Sequence, residues 1–162
     1  MLIVVMGVSG SGKSTIGSRL AERLRAEFVD ADEYHSAENK SKMAAGIPLT
    51  DEDRRPWLQA LASVLAGWHL QQVSGVLACS SLKVAHREIL GVGPHAGKLT
   101  FVLLEGNKEL IASRLAVRQH EFMNRQLLES QFDALEVSDY ALRIVNDRAP
   151  DEIVDVLLAR LS

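Results

Sequence analysis

LIVVMGVSGSGKST, residues 2–15, places five apolar residues directly ahead of a glycine-rich loop. The run Leu2–Met6 is short and largely β-branched, which predicts a buried parallel strand. The loop after it meets the pattern G-x-x-x-x-G-K-[ST] at Gly7, Gly12, Lys13 and Ser14. Glycines let the backbone curl so that successive N–H groups point inward, and together they form a cradle for phosphate. A helix starting near Lys13 aims its positive end at the same place. The Lys13 ammonium can reach the terminal phosphates and the Ser14 hydroxyl can ligate Mg²⁺. Gly7, Ser9, Gly10, Ser11, Gly12, Lys13, Ser14 and Thr15 are therefore the candidate nucleotide-binding residues, with a nucleoside triphosphate as the ligand.

Outward from the loop, strand and helix patterns alternate. Ile16, Leu20 and Leu24 recur at helical spacing, with Arg19, Arg23 and Arg25 off that line. Phe28 and Val29 begin a second strand ending near Asp30. A weak helix over 36–45 is stopped by Gly46 and Pro48. A longer helix is expected over roughly 51–71, capped by Thr50 or Asp51, with Pro56 in its first turn or so. Val76–Cys79 and Leu99–Leu104 read as the third and fourth strands and Ala141–Val145 as the fifth. Helices are expected from about Lys83, over 107–118, near 126–135 and over 150–161. Residues 119–128 lack a clean period and are expected to form a mobile lid. This alternation implies parallel βαβ units with right-handed crossovers, a three-layer α/β/α fold in a single domain, residues 1–162.

Composition sets outer bounds. The chain has 162 residues, 47% hydrophobic and 24% charged, with a formal net charge of −3. That is an ordinary globular balance, and a slight acidic surplus provides no general field for nucleic acid. One cysteine, Cys79, excludes an intrachain disulfide framework and a multi-cysteine zinc site. It fits a reducing compartment, and the expected place is the cytoplasm. The opening apolar run is too short for a membrane span and lacks the flanks of a signal peptide.

Several side chains suggest phosphoryl transfer rather than binding alone. Asp30 and Asp32 follow the second strand, on the side where open α/β sheets bind ligands. Strand alternation would put both on one face. Asp32 could orient a substrate hydroxyl, accept its proton or hold Mg²⁺. Arg114 and Arg118 share a helix face just before the expected lid, where cations can stabilise a transferring phosphoryl group. Arg54 and Arg55 stand in the first turn of the long helix, against its dipole, so at least one needs a partner such as an anionic substrate. Lys83 and Arg87 offer a second cationic face. His35, three residues from Asp32, is a candidate substrate contact. The other histidines are expected at the surface, and Trp57 and Trp68 in the core.

These residues together resemble the gluconokinase family, small phosphate-loop kinases. The likeness covers GVSGSGKST at 7–15, DADEYH at 30–35, ENKSKMAAGIPLTDEDRRPWL at 38–58, ACSSLK at 78–83 and FM-x3-LL-x-SQFDALE at 122–136. The block from Asn39 to Leu58 is the most diagnostic. The resemblance implies ATP and D-gluconate as substrates, Mg²⁺, sheet order 2-3-1-4-5 and a homodimer. It implies catalytic roles for Lys13, Asp32, Arg114 and Arg118, and substrate roles for Asp32, His35, Arg54 and Lys83. It implies a metal site at Ser14 and Asp32. Ala31, Tyr34, Ser36, Glu121, Asn124 and Val137 depart from the usual family pattern, and none of them lies in the phosphate loop. Two alternatives remain at this point: a shikimate-kinase-like enzyme and a catalytically silent ATP-binding module.

Overall fold

The computed structural model describes residues 1–118 and 125–162; within helices, the side chains of residues 117, 118, 125 and 126 stand outside that description. Five strands form one parallel sheet: β1 (Leu2–Met6), β2 (Glu27–Asp30), β3 (Gly75–Ala78), β4 (Leu99–Glu105) and β5 (Leu142–Val145). Their order is β2-β3-β1-β4-β5, as the resemblance implied. Seven helices are described: α1 (Lys13–Leu24), α2 (Ala37–Ala44), α3 (Asp51–Leu70), α4 (Val84–Leu90), α5 (Lys108–Arg118), α6 (Arg125–Ala134) and α7 (Pro150–Leu161).

β1 is central and wholly buried, so its side chains feed both layers. Ile3 and Val5 face α1 and α7, where Ile16, Leu20, Ile153 and Leu157 complete one core. Leu2 and Val4 face α3, packing with Trp57, Leu61, Leu65 and Trp68. This is the two-faced burial that a parallel strand requires. Gly75 opens β3 directly beneath the Trp68 ring: a Cβ there would lie 2.1 Å from the indole. A third, smaller cluster of Val8, Leu82, Ile111 and Leu128 ties the phosphate loop to α5 and α6.

Two expectations change. Asp32 is not on a strand, because a 3-10 turn at Ala31–Tyr34 interrupts the extended backbone right after Asp30. Strand alternation therefore does not govern it. Residues 119–124 of the expected lid lie outside the described residues, whereas 125–128 already belong to α6, with Leu127 and Leu128 buried.

Candidate active site

The loop between β1 and α1 is bent as its glycines allow, with φ of +146° at Gly7, +79° at Gly10 and +100° at Gly12. Gly12 is doubly constrained, since a Cβ there would meet Asn146 Nδ2 at 2.3 Å. That Asn146 amide donates to Ser11 O at 2.7 Å, and Asn146 N–H donates to Glu105 O at 2.9 Å. Arg114 donates to Asn146 O at 2.6 Å. The β5–α7 turn thus props the loop from behind, and Arg114 reaches the loop through that turn. The side chain of Arg118 lies outside the described residues. At the start of α1 no side chain caps the helix and no acid stands in the first turn. Its N–H groups are left to a ligand, the usual arrangement for an anion site.

Lys13 donates to Val8 O at 3.0 Å, folded back onto its own loop. Burial pushes its ammonium pKa down, opposed by the charges of Asp32 and Asp30. The Ser14 hydroxyl donates to Asp30 Oδ2 at 2.5 Å. The other Asp30 oxygen accepts from Asp32 N–H at 3.0 Å and starts the 3-10 turn. Asp30 is therefore both a cap and the partner of Ser14. That second role has no local signal in the sequence, because the two residues meet only through the β1–β3–β2 pairing.

A cleft of about 580 Å³, including its open mouth, runs from this loop to α2 and α3. Lys13, Asp32 and Ser9 line it, as do His35, Lys40 and Arg54; Asp32 acts electrostatically on Lys13, and Arg54 and Lys40 on His35. His35 is only 9% exposed. Its ring stacks on Trp57 with centroids 4.0 Å apart. Burial, then the charges of Arg54 and Lys40, push its pKa down to about 4, so it is neutral at physiological pH. Arg54 donates to Leu49 O at 2.6 Å, and burial lowers its pKa. The Lys40 N–H donates to Ser36 O at 3.0 Å, while its ammonium makes no hydrogen bond or ion pair among the described residues. Lys42, by contrast, is held by Asp53 at 2.9 Å.

Not every expected cation faces the cleft. Lys83 lies on Asp51 at 3.2 Å rather than on the cleft wall. Arg87 is buried, which corrects the expected cationic face: it donates to the carbonyls of Ser81, Leu82 and Glu136 and to Ser138 Oγ. His86 and His95 are buried too, against expectation. Each fills an internal hydrogen-bonding slot, with His86 beside Asp51 and His95 on Leu90 O. Trp68 is core as expected, while Trp57 is both core and cleft wall. Cys79 is a buried thiol, with its pKa pushed up to about 11 by burial. Lys40 and Gln131, which sequence reasoning left out, also line the cleft. Helical spacing gave no sign of either, since each is one polar residue among several on its helix.

A phosphate loop, a buried lysine, a following aspartate and a cationic pocket on a 2-3-1-4-5 sheet define a phosphate-loop kinase of small molecules. The shikimate kinase family model matches residues 9–161. A gluconokinase of Arabidopsis thaliana is 45% identical over 99% of this chain and 92% of its own length. A gluconokinase structure from Sinorhizobium meliloti superposes with a TM-score of 0.84 at 40% identity, covering 98% of this chain and 91% of that one. A shikimate kinase from Acinetobacter baumannii, at a TM-score of 0.63 and 17% identity over 99% of this chain and 92% of that one, shares the fold. The chain belongs to the gluconokinase family.

Proposed function

We propose that the protein transfers the γ-phosphoryl group of ATP to D-gluconate, giving 6-phospho-D-gluconate and ADP. The observation that carries this reading is one cleft lined both by Lys13 of the phosphate loop and by Lys40, Arg54 and neutral His35. An anionic polyol spans such a cleft with its carboxylate on the cations and its far hydroxyl at Lys13 and Asp32. Gluconate has that shape. The relatives with high identity over most of the chain are gluconokinases, whereas the likeness to the shikimate kinase structure is one of fold.

In this reading the loop amides and Lys13 bind the triphosphate, and Lys13 leaves Val8 O to do so. Asp32 orients the primary hydroxyl and accepts its proton as the oxygen attacks the γ-phosphorus. The new O–P bond forms as the bond to the β-phosphate oxygen breaks, and ADP departs. Arg114 and Arg118 stabilise the phosphate charge. His35, Lys40 and Arg54 hold the hydroxyls and carboxylate, and Lys83 contributes only if it leaves Asp51.

Mg²⁺ fits the donors at hand. Ser14 and Asp30 are hard oxygen groups already in contact, Asp32 is two residues on, and no cluster of three or more His, Cys, Asp or Glu side chains competes among the described residues. Such a sparse set suits an ion that keeps several waters and phosphate oxygens. When bound, it would neutralise charge on the β- and γ-phosphates. Placement in the cytoplasm and a homodimeric state belong to the same proposal. Among the described residues no helix is long and apolar enough to cross a membrane.

The test is ADP release measured with gluconate, other sugar acids and shikimate. Gluconate should give the highest kcat/KM, and a preference for shikimate would overturn the reading. Asp32→Asn should abolish transfer while ATP still binds by calorimetry. Retention of most of the turnover would remove Asp32 from its role.

A further inference from the structure

α6 reaches the phosphate loop through one polar side chain. Ser9 N–H donates to Gln131 Oε1 at 2.7 Å, across 122 residues of sequence. This contact fixes which way the carboxamide points. A backbone N–H can only donate, so the oxygen must face the loop and the NH₂ group must face away from it. Gln131 also lines the cleft, beside Lys13, Asp32 and Ser80. Its two N–H donors have no partner among the described residues.

The side chain is held on both sides. Leu128 and Phe132, which flank it on α6, pack against Val8 and Ile111. Beyond the helix, Glu136 N–H donates to Leu82 O at 2.7 Å and Glu136 Oε1 accepts from Val84 N–H at 3.0 Å. A carboxamide fixed at its oxygen, on an anchored helix, presents its donors to the cleft at little further entropic cost.

We propose that Gln131 is a substrate-binding residue that bridges the phosphate loop and the acceptor. Its oxygen holds the Ser9 amide, and its NH₂ group donates to one hydroxyl oxygen of the sugar acid near the attacked alcohol. The acceptor is thereby placed by the same side chain that braces the loop. This rests on the sugar-acid reading above and adds to it a contact from α6, a helix far along the chain from the acceptor residues 32–54.

Gln131→Met keeps the length of the side chain and removes both hydrogen bonds. Its kcat/KM is measured beside the wild type with gluconate and with a set of deoxygluconates, each lacking one hydroxyl. One deoxy acid should cost the wild type at least fivefold in kcat/KM and cost Gln131→Met less than twofold. A purely structural role would lower every acid by the same factor, and that uniform loss, or no loss, overturns the proposal. If Gln131→Met does not fold, Gln131→Glu, which keeps an oxygen for Ser9 N–H but has no donors, is read by the same criterion. Failure of the wild type on gluconate would instead count against the substrate reading, and the comparison would then use the preferred acid of the panel with its deoxy forms.

Discussion

His35 shows how a single burial sets chemistry at the residue scale. Stacked on Trp57 and faced by Arg54 and Lys40, it has a folded-state pKa of about 4, below the ordinary 6.5. The unfolded chain therefore binds more protons than the native one between those values. Stability is full above about pH 6.5 and falls as pH drops toward 4, by up to roughly 3 kcal/mol from this group. His86, also lowered by burial, adds to the same slope. Urea midpoints should fall between pH 7 and pH 5, and His35→Gln should flatten part of that fall. An unchanged slope would mean that His35 is not held neutral. Lys40 is the complementary case, a cation lining the cleft whose ammonium makes no ion pair among the described residues. Lys40→Met should raise the KM for gluconate by about 10- to 100-fold, the worth of a charge-assisted hydrogen bond, with kcat little changed. A KM within twofold of wild type would take Lys40 out of the acceptor site.

At the scale of elements, α3 positions the acceptor end. Thr50 caps it: Asp53 N–H donates to Thr50 Oγ1 at 3.1 Å, and Thr50 N–H donates to Asp53 Oδ2 at 3.0 Å. Lys42 and then the Thr50 N–H hold the Asp53 carboxyl down at about 2, so the box persists through the neutral range. Arg54 and Trp57 follow within two turns, and fraying there would loosen both. Thr50→Ala should cost about 1 kcal/mol. Melting should show it as a drop of roughly 2–4 °C, with a rise in gluconate KM that the ATP KM does not share. Equal changes in both would place the effect outside α3. The cap was legible in the sequence to within one residue, Thr50 or Asp51, and the strands and most helices were legible too, because capping and periodicity are local signals. The 3-10 turn after Asp30 was not, since strand alternation carries no information about where a strand ends. The Asp30–Ser14 and Gln131–Ser9 contacts were hidden for a different reason: each joins segments that only the sheet order brings together.

Across the whole molecule the cleft depends on the regions after β3 and after α6 staying joined. Arg87 is the joint. Its guanidinium donates to Ser81 O at 2.9 Å, Leu82 O at 3.2 Å, Ser138 Oγ at 2.9 Å and Tyr140 Oη at 3.2 Å, and to Glu136 O as well. Sequence spacing suggested a cationic face shared with Lys83, but a buried fork with five donors meets a cluster of carbonyls better than a solvated ligand does. Arg87→Ala would take the guanidinium donors from Ser81 O and Glu136 O and leave Leu82 O with the Glu136 N–H alone, at a cost of about 3 kcal/mol. Lysine, with one ammonium and no planar fork, should restore less than half of that. Because Glu136 closes the segment that follows Gln131, the loss should also weaken gluconate more than ATP at temperatures well below melting. Urea unfolding of both variants, with KM values for both substrates, checks this. A loss under 0.5 kcal/mol, or full rescue by lysine, would show that the two regions are held together by their apolar contacts with Leu82 and Leu128 rather than by Arg87.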